Sequence, residues 1–497
     1  MGLYLRFLPE LGMLGLALAL FLVSVTIGGE SDALDERRRD ERRRTAAYVS
    51  DRIGLLGSVG VLVLAALAIW QNGTLFFDAY RVGLFSQLVK IVLAAGLVGA
   101  MWLARDARNI PVRDRPEFLL FMTLSTLGMM MLVSADELIT FYVVLELSAY
   151  CLYIMVPMAS GHGSHNEASY KYFIYGATTS AVSLYGMTIL YGLAGTTSIP
   201  AIAAALGAAP STLALAAVVL AITGVLFKLA VFPFHFWAPD VYQVSTHGAA
   251  AFIAATSKVG AVAALLRLLL VGADVEQLYW VLGGLAVLSM TFGNLAAIAQ
   301  KDLKRLLAYS GVAQGGYILL GLMGQDSAGY TAATYYTIGY LAMVLLCFLV
   351  IVEVGRTLPE SEGGRPSNVL PISALDGLHQ RSPVLALALL VGLLGMAGVP
   401  PTAGFTGKWL LFKAAIEVEA FWLVLIAGIN NTIAIYYYLI VVKAAYVHGA
   451  EGQPRLEPGL MAKMAGVGVS LAVVFLGVFP QWVVPALDRA MNALLGG

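Results

Sequence analysis

The stretch Phe141-Tyr-Val-Val-Leu-Glu146-Leu-Ser-Ala-Tyr150 places a single carboxylate in an otherwise uncharged, apolar run. Lys228, Lys258 and Lys408 repeat the pattern, each as an isolated charge in a separate apolar run. An ionised side chain at the centre of a bilayer costs at least ~2.5–3.5 kcal/mol on insertion scales. One carboxylate and three lysines in such positions indicate a protein that moves charge.

The composition assigns the chain to the membrane class. Hydrophobic residues make up 59% of the 497 residues and charged residues 12%, which is about half the usual charged share of soluble domains. Apolar runs of about 20 residues recur along the chain, and each is long enough to cross a ~30 Å hydrocarbon core. The net charge of zero offers no basic surface for nucleic acid. We therefore predict an all-α, polytopic protein of the lipid bilayer with about 14 transmembrane helices.

Prolines predict where two of these spans break. The predicted spans are centred near Leu16, Leu62, Leu97, Thr126, Leu147, Ser183, Val218, Ala261, Leu288, Ala313, Met343, Leu390, Ile433 and Val473. Pro233 interrupts the seventh and Pro400-Pro401 the twelfth, because proline lacks a backbone donor and clashes with the preceding turn. Such breaks are tolerated where protein or a water-filled cavity covers the freed carbonyls. Gly404 and Gly407 are expected to leave room for water beside Lys408.

The spacing of the breaks predicts a duplication. Broken helices 7 and 12 lie five spans apart, and each has a lysine near its break. This favours two inverted five-helix repeats, an architecture of transporters whose sites lie near the midplane. The predicted segments are residues 1–115, an N-terminal three-helix segment with an Arg-rich cytoplasmic loop; 116–272, the first five-helix repeat; 273–445, the second; and 446–497, a C-terminal helix.

The distribution of basic residues predicts the orientation in the membrane. Arginines concentrate in the predicted loop 37–44, and further basic residues lie in the connections 105–115 and 301–305. All three connections fall on one side, which the positive-inside rule assigns to the cytoplasm. Both termini are then expected on the external, periplasmic side.

Glu146 and Lys228 are the first candidates for a proton relay. If they lie close together, each favours the charged form of the other. Gain or loss of a proton by one residue therefore changes the proton affinity of its partner. The alternative is a static buried ion pair, although such pairs are weak stabilisers. Lys258 and Lys408 extend the predicted path; the alternative for each is a side chain that reaches to the interface.

The remaining chemistry-bearing residues have simpler interpretations. His235 and His247 flank the seventh break and are accessory relay candidates near neutral pH, with structural hydrogen bonding as the alternative. Cys151 and Cys347 are expected to be small core hydrophobes, and Tyr436-Tyr-Tyr438 to be packing and interface residues. Neither metal-ligand spacing nor a nucleotide-binding motif occurs in the sequence, so we predict no metal or cofactor site.

Several stretches resemble the antiporter-like subunits of respiratory complex I. They are Asn166-Glu-Ala-Ser-Tyr-Lys-Tyr-Phe173 with Tyr185-Gly-Met-Thr-Ile-Leu-Tyr-Gly192, the seventh-helix break Phe232-Pro-Phe-His-Phe-Trp-Ala-Pro-Asp-Val-Tyr242, Gln300-Lys-Asp-Leu-Lys-Arg-Leu-Leu-Ala-Tyr-Ser310, and Ala397-Gly-Val-Pro-Pro-Thr-Ala-Gly-Phe-Thr-Gly-Lys408. The resemblance extends from Leu119 to Lys443. The opening Leu8-Pro9-Glu10 is most similar to the subunit N (subunit 2) branch. The chain departs from the family pattern at Gln243–Ala250, where Glu-Gly and a Pro-Thr-Pro segment are usual, and at Gln314, where histidine is common.

The resemblance implies a proton-translocating membrane-arm subunit of an NADH-quinone oxidoreductase in the cell inner membrane. By this resemblance Glu146, Lys228, Lys258 and Lys408 form a hydrophilic axis. The partners would be the other membrane-arm subunits, and those other subunits would bind NADH, flavin, iron–sulfur clusters and quinone, with no cofactor in this chain. Two alternatives remain: a subunit of a multi-subunit sodium/proton antiporter, and a non-pumping scaffold subunit.

Overall fold

The structure is a computed structural model that describes residues 2–27, 36–105, 110–158, 163–208, 211–272, 277–358, 360–361, 365–366 and 368–496. Within these residues the chain is built almost entirely of helices. The α-helices are α1 Gly2–Arg6, α2 Leu8–Thr26, α3 Glu36–Leu67, α4 Leu84–Ala104, α5 Arg115–Leu132, α6 Leu138–Met155, α7 Gly163–Ala194, α8 Ile199–Ala208, α9 Thr212–Leu229, α10 Trp237–Val244, α11 His247–Ala254, α12 Thr256–Leu269, α13 Gln277–Ile298, α14 Leu303–Leu322, α15 Ser327–Gly355, α16 Leu378–Arg381, α17 Pro383–Ala397, α18 Ala403–Glu417, α19 Phe421–Tyr446, α20 Leu460–Val478 and α21 Val484–Leu495. Short 3₁₀ helices cover Val112–Asp114, Leu270–Gly272, Ile372–Leu375 and Pro480–Trp482. Two antiparallel strand pairs, β1 Gly73–Leu75 with β2 Tyr80–Val82 and β3 Glu360–Ser361 with β4 Arg365–Pro366, complete the fold.

The helices confirm a multi-pass membrane protein. In the described part of the chain, 11 helical segments are long and apolar enough to cross a membrane. Each of the fourteen predicted centres lies inside an α-helix. Three of the predicted centres lie outside these 11 segments, in α5, in α14 and in the α17–α18 pair. These helices are shorter or more polar than the 11 segments. The count of 14 spans therefore stays a prediction.

The two ends of the helix bundle are distinct. At one end, which we call the hairpin end, Arg81 N donates to Ser134 O at 2.7 Å and Asp136 N donates to Ala79 O at 2.9 Å. These bonds tie the β1–β2 hairpin to the connection between α5 and α6. The other end, which we call the arginine end, holds the arginines of α3 and the start of α14.

The Arg-rich segment is a helix and not the predicted loop. Residues 37–44 form the first turns of α3, which continues as one helix to Leu67. The physical reason is helix propensity: Arg and Glu are good helix formers, and opposite charges three or four residues apart stabilise exposed turns. The rest of the connection from the first span, residues 28–35, lies outside the described residues.

Both predicted helix breaks are confirmed. The seventh span stops at Leu229 and resumes as α10, and the twelfth stops at Ala397 and resumes as α18. The eighth span has a break that the sequence did not predict. It divides into α11 and α12 at Ala255, whose φ of −104° and ψ of −71° depart from helical values. Because neither proline nor glycine occurs at this point, the local sequence does not predict the break.

Helix α14 lies at the centre of the fold. It contacts α10 of the first predicted repeat and α13, α15 and α18 of the second. Residues of α14 can therefore meet side chains from both halves, and the site described next depends on this placement. The inverted relationship of the two halves and their boundaries stay a prediction.

Candidate functional site

Glu146 and Lys228 are both buried, 8% and 6% exposed, on α6 and α9. Their charges interact electrostatically, yet Lys228 does not form a direct ion pair with Glu146 within the described residues. Instead, Lys228 Nζ donates to Ser148 Oγ at 2.8 Å. Tyr150, one turn further along α6, interacts with the Glu146 carboxylate. The predicted pair is thus a cluster in which Lys228 bonds to the Ser148 hydroxyl and the Glu146 carboxylate acts on it at longer range.

Two side chains close the break that follows Lys228. Ala230 adopts a left-handed conformation with φ 60°, which ends α9. Trp237 Nε1 donates to the Phe227 carbonyl at 3.0 Å. Phe232 N donates to Ser289 Oγ of α13 at 3.0 Å. The break is therefore completed partly from the second half of the chain.

Lys258 lies in the first turn of α12 and is 2% exposed. Its ammonium donates to the Gly311 carbonyl of α14 and lies 5.4 Å from the centre of the Tyr340 ring. A side chain on Gly311 would collide with it, because a Cβ there would lie 2.7 Å from Lys258 Nζ. Glycine at 311 thus permits this close approach.

A buried polar chain leads from α14 toward Lys408. Ser310, next to Gly311, shares a short hydrogen bond with the Tyr438 hydroxyl. Gln314 Nε2 donates to Tyr438 Oη at 3.1 Å and to the Met396 carbonyl at 3.0 Å, and Tyr336 donates to Gln314 Oε1. Gln314, which stands where the resembling family commonly has histidine, is therefore part of this connection.

Lys408 receives the other end of that chain. Its Nζ donates to the same Met396 carbonyl at 2.8 Å and to Asn431 Oδ1 at 2.5 Å, and lies 4.4 Å from the centre of the Tyr317 ring. Met396 is four residues before Pro400, so the proline leaves its carbonyl without the usual helical donor. The break at Pro400 thus creates the acceptor that Gln314 and Lys408 share. With Lys408 only 3% exposed, it does not reach the lipid-facing surface.

The glycines near Lys408 do not leave the predicted space for water. A Cβ on Gly404 would lie 1.8 Å from the Gly395 carbonyl, and one on Gly407 would lie 2.6 Å from the Tyr336 ring. Both glycines instead permit close helix packing, which neighbouring sequence could not reveal.

The histidines lie apart from this row. His235 is buried among Phe232, Phe236 and Phe292, with ring centroids 4.4–5.6 Å away. His247 lies at the arginine end, where its charge would interact with that of Lys304. The structure brings neither histidine into contact with the four central residues, and their accessory role stays a prediction.

Sequence reasoning missed several polar residues of the interior. Tyr437 and Tyr438 pack in the interior, as predicted, but their hydroxyls are also hydrogen-bonded, and Tyr436, 59% exposed, fits the predicted interface role. Lys304, one of the basic residues in the predicted connection 301–305, is buried and donates to Ser245 O at 2.9 Å. Lys90 is also a lone charge in an apolar run, so the pattern that identifies Lys228 as a candidate identifies Lys90 as well.

Comparison with known proteins places this arrangement in context. A family profile described as "NADH:quinone oxidoreductase/Mrp antiporter, TM" matches residues 135–434. NADH-quinone oxidoreductase subunit N 2 of Syntrophobacter fumaroxidans is 42% identical over 99% of this chain and 100% of the relative. A chain of respiratory complex I from Thermus thermophilus is 31% identical, with a TM-score of 0.80 over 96% of this chain and 99% of that one. A chain of the Mrp complex from Dietzia sp. has a TM-score of 0.81 over 99% and 97%, but only 19% identity, and so shares the fold alone.

Proposed function

The chain belongs to the NADH:quinone oxidoreductase/Mrp antiporter membrane family, and from this membership we infer that it is a proton-translocating membrane-arm subunit of an NADH-quinone oxidoreductase. It is a multi-pass membrane protein whose partners are the other membrane-arm subunits of that complex. Its activity belongs to the translocase as a whole. A sodium/proton antiporter subunit is the weaker reading, because the likeness to the Mrp complex extends only to the fold.

The observation that carries the proposal is a row of buried ionisable residues, each of which contacts neutral polar groups. Ser148 links to Lys228 at one end, and Lys258 contacts α14 at Gly311. From Ser310, beside Gly311, hydroxyl and amide groups continue through Tyr438 and Gln314 to the Met396 carbonyl, which also accepts from Lys408. Proton transfer needs groups that both donate and accept, and Ser, Tyr and Gln side chains do both.

We assign the steps as follows. Protonation of Glu146 removes the negative charge that stabilises the Lys228 ammonium, so Lys228 releases its proton. Lys258 takes up a proton, and its positive charge then promotes release toward Gln314 and Lys408. The proton that leaves Lys228 breaks one N–H bond there and forms one on Lys258, which must be neutral to accept it, and no electrons move within this chain.

An apolar interval separates the first lysine from the second. Leu229 and Val231, directly after Lys228, pack against α14 at Gly315, one turn from Gly311. The described residues supply no hydrogen-bonded chain across this interval. We propose that crossing it is the controlled step, which a shift of the broken α9–α10 segment would open.

We further propose that other subunits bind NADH, flavin, iron–sulfur clusters and quinone, and that this chain holds no cofactor. The arginine end would face the cytoplasm and the hairpin end the outside of the inner membrane, with both termini outside. The positive-inside rule supports this assignment.

The test uses the intact complex in sealed lipid vesicles, with quinone reduction, the proton gradient and assembly each measured. Lys228→Ala should assemble and lose most proton pumping, and Lys228→Arg should fail as well, because guanidinium retains its proton. Lys413→Ala, an exposed lysine paired with Glu417 at 3.7 Å, is the control and should behave as the parent. Full pumping by both Lys228 variants would favour the scaffold reading.

A further inference from the structure

A second pair of buried charges lies outside the central row, between α2 and α4. Glu10 and Lys90 are each 0% exposed, and Lys90 Nζ lies 2.7 Å from Glu10 Oε1. The Tyr80 hydroxyl of β2 donates to the same carboxylate oxygen at 2.5 Å, and Lys90 lies 5.2 Å from the centre of the Tyr80 ring. The pair is thus enclosed by a transmembrane helix on each side and by the hairpin at the end.

Polar atoms beside the pair have unused hydrogen-bonding capacity. Glu10 Oε2 and both side-chain amide atoms of Gln87 are buried without a partner among the described residues. Gln87 precedes Lys90 by three residues on α4, so the two side chains share one face of the helix. Buried polar groups are normally satisfied by protein or water. The Gln87 amide and the free carboxylate oxygen together offer the two to four polar partners that a buried water needs.

Charged residues connect the Glu10–Lys90 pair to the hairpin end and to the helices of the central row. Arg267 interacts electrostatically with Lys90 and Tyr80, and its Nη1 lies 3.3 Å from Asp136 Oδ1. Arg81 Nε lies 2.9 Å from Asp136 Oδ2, and its side chain is 33% exposed. Arg267 lies nine residues after Lys258 on α12, about 13 Å along the helix axis. Asp136 lies just before α6, which carries Glu146.

A purely structural role explains this cluster poorly. A buried ion pair contributes little net stability, and well-packed apolar residues would serve as well or better. Ionisable residues inside a membrane segment mark functional sites by default. The carboxylate oxygen and the amide that lack a partner among the described residues, together with the partly exposed Arg81, favour an access route over a static ion pair.

We propose that Glu10 is a second proton-exchange site, which takes up a proton on Oε2 through water held by Gln87 and releases it toward the hairpin end. Resting on the function proposed above, this site serves as an outlet for the first half of the protein. Glu10 is paired with the Lys90 ammonium and accepts a hydrogen bond from Tyr80, and the charge of Arg267 acts on Lys90 and Tyr80. Nearer the surface, the Asp136 carboxylate pairs with Arg267 and Arg81.

The test replaces the whole pair in the intact complex. A static pair predicts that Lys90→Met alone impairs assembly and that Glu10→Leu with Lys90→Met restores parental pumping, because no charge is left unpaired. The proposal predicts that the double variant assembles and reduces quinone but transfers at least twofold fewer protons per quinone. Lys228→Ala is measured in parallel: if it lowers pumping while the double variant pumps normally, this inference fails and the proposed function stands.

Glu10→Gln decides the question if the double variant does not assemble. It keeps the shape and the acceptor for Tyr80 but cannot exchange a proton. The infrared difference spectrum of the parent between acidic and alkaline pH should contain a carboxyl C=O band that Glu10→Gln lacks. Identical spectra for parent and variant would overturn the proposal, whatever the pumping rates are.

Discussion

Lys228 donates its hydrogen bond to Ser148 and not to Glu146, although both lie on α6. Residues two positions apart on a helix point in different directions, so one ammonium cannot readily face both. Ser148 itself is held in place, because its hydroxyl donates to Leu145 O at 2.8 Å and its carbonyl accepts from Ser125 Oγ at 2.9 Å. The Glu146 carboxylate therefore acts on Lys228 through longer-range electrostatics, whereas Ser148 acts on it through a direct hydrogen bond.

Ser148→Ala should lower proton pumping several-fold while assembly is retained. A hydrogen bond to a charged group contributes about 1.5–3 kcal/mol of stability. Its loss should therefore destabilise the protonated form of Lys228 without abolishing the lysine's function. Ser148→Thr keeps the hydroxyl and should be milder. Ser58→Ala is the control, since Ser58 is equally buried but, among the described residues, bonds to its own helix at Leu55 O. Parental pumping by Ser148→Ala would show that the Ser148 hydroxyl does not contribute to proton transfer at Lys228.

Gly311→Ala should reduce pumping strongly by displacing Lys258. The new Cβ would lie 2.7 Å from Lys258 Nζ, which must then leave the Gly311 carbonyl. Gly284→Ala is the matched control, because its Cβ would meet nothing within 4 Å and should be neutral or stabilising by up to ~1 kcal/mol. Proton transfer and thermal stability of the complex are measured for both. Equal pumping by the two variants would remove Lys258 from the path.

Tyr438→Phe and Tyr436→Phe make the same chemical change two residues apart with opposite expectations. Tyr438 bonds to Ser310 and Gln314, whereas the Tyr436 side chain is exposed. Removing the Tyr438 hydroxyl should slow proton movement to Lys408 about tenfold, since the donor–acceptor chain is interrupted. Tyr436→Phe should pump as the parent does. A similar effect of the two substitutions would contradict the connection through Tyr438.

Cysteine labelling can decide the orientation. Thr45 lies at the arginine end and Asp78 at the hairpin end, and both are exposed, while the native Cys151 and Cys347 are buried. An impermeant thiol reagent added to intact spheroplasts should label Asp78→Cys and spare Thr45→Cys. In inverted membrane vesicles the pattern should be reversed. Labelling of Thr45→Cys in spheroplasts would reverse the proposed direction of proton release.

Residues whose signal is local were predictable from the sequence. Prolines mark the breaks of α9 and α17, and isolated charges mark Glu146, Lys228, Lys258 and Lys408. Lys90 and Arg267 carry the same signal and were available to the same reasoning. The break at Ala255 and the helix at residues 37–44 were not predicted, because nothing distinctive in composition marks the first and the charge pattern obscured the second.

The groups that join the charges could not be predicted, because they are neutral residues from distant parts of the chain. Ser148 meets Lys228 across 80 positions, Gly311 meets Lys258 across 53, and Ser310 meets Tyr438 across 128. A serine or glycine in an apolar helix has no distinctive signature until its neighbour is known. Gly407 shows the converse, since its sequence context suggested open space and the Tyr336 ring occupies it.

The Phe232–Ser289 contact has a consequence for how the protein is made. Phe232 belongs to the first half, and the serine that accepts its N–H is synthesised 57 residues later. Chains grow and fold from the N-terminus, so α9 and α10 enter the membrane before α13 exists. The carbonyl that accepts from Lys258 is translated later still. A ribosome that stalled after residue 272 would leave the Phe232 N–H and the Lys258 ammonium in the bilayer without these acceptors. The first half is therefore a component whose buried hydrogen bonds are completed only when the second half is translated.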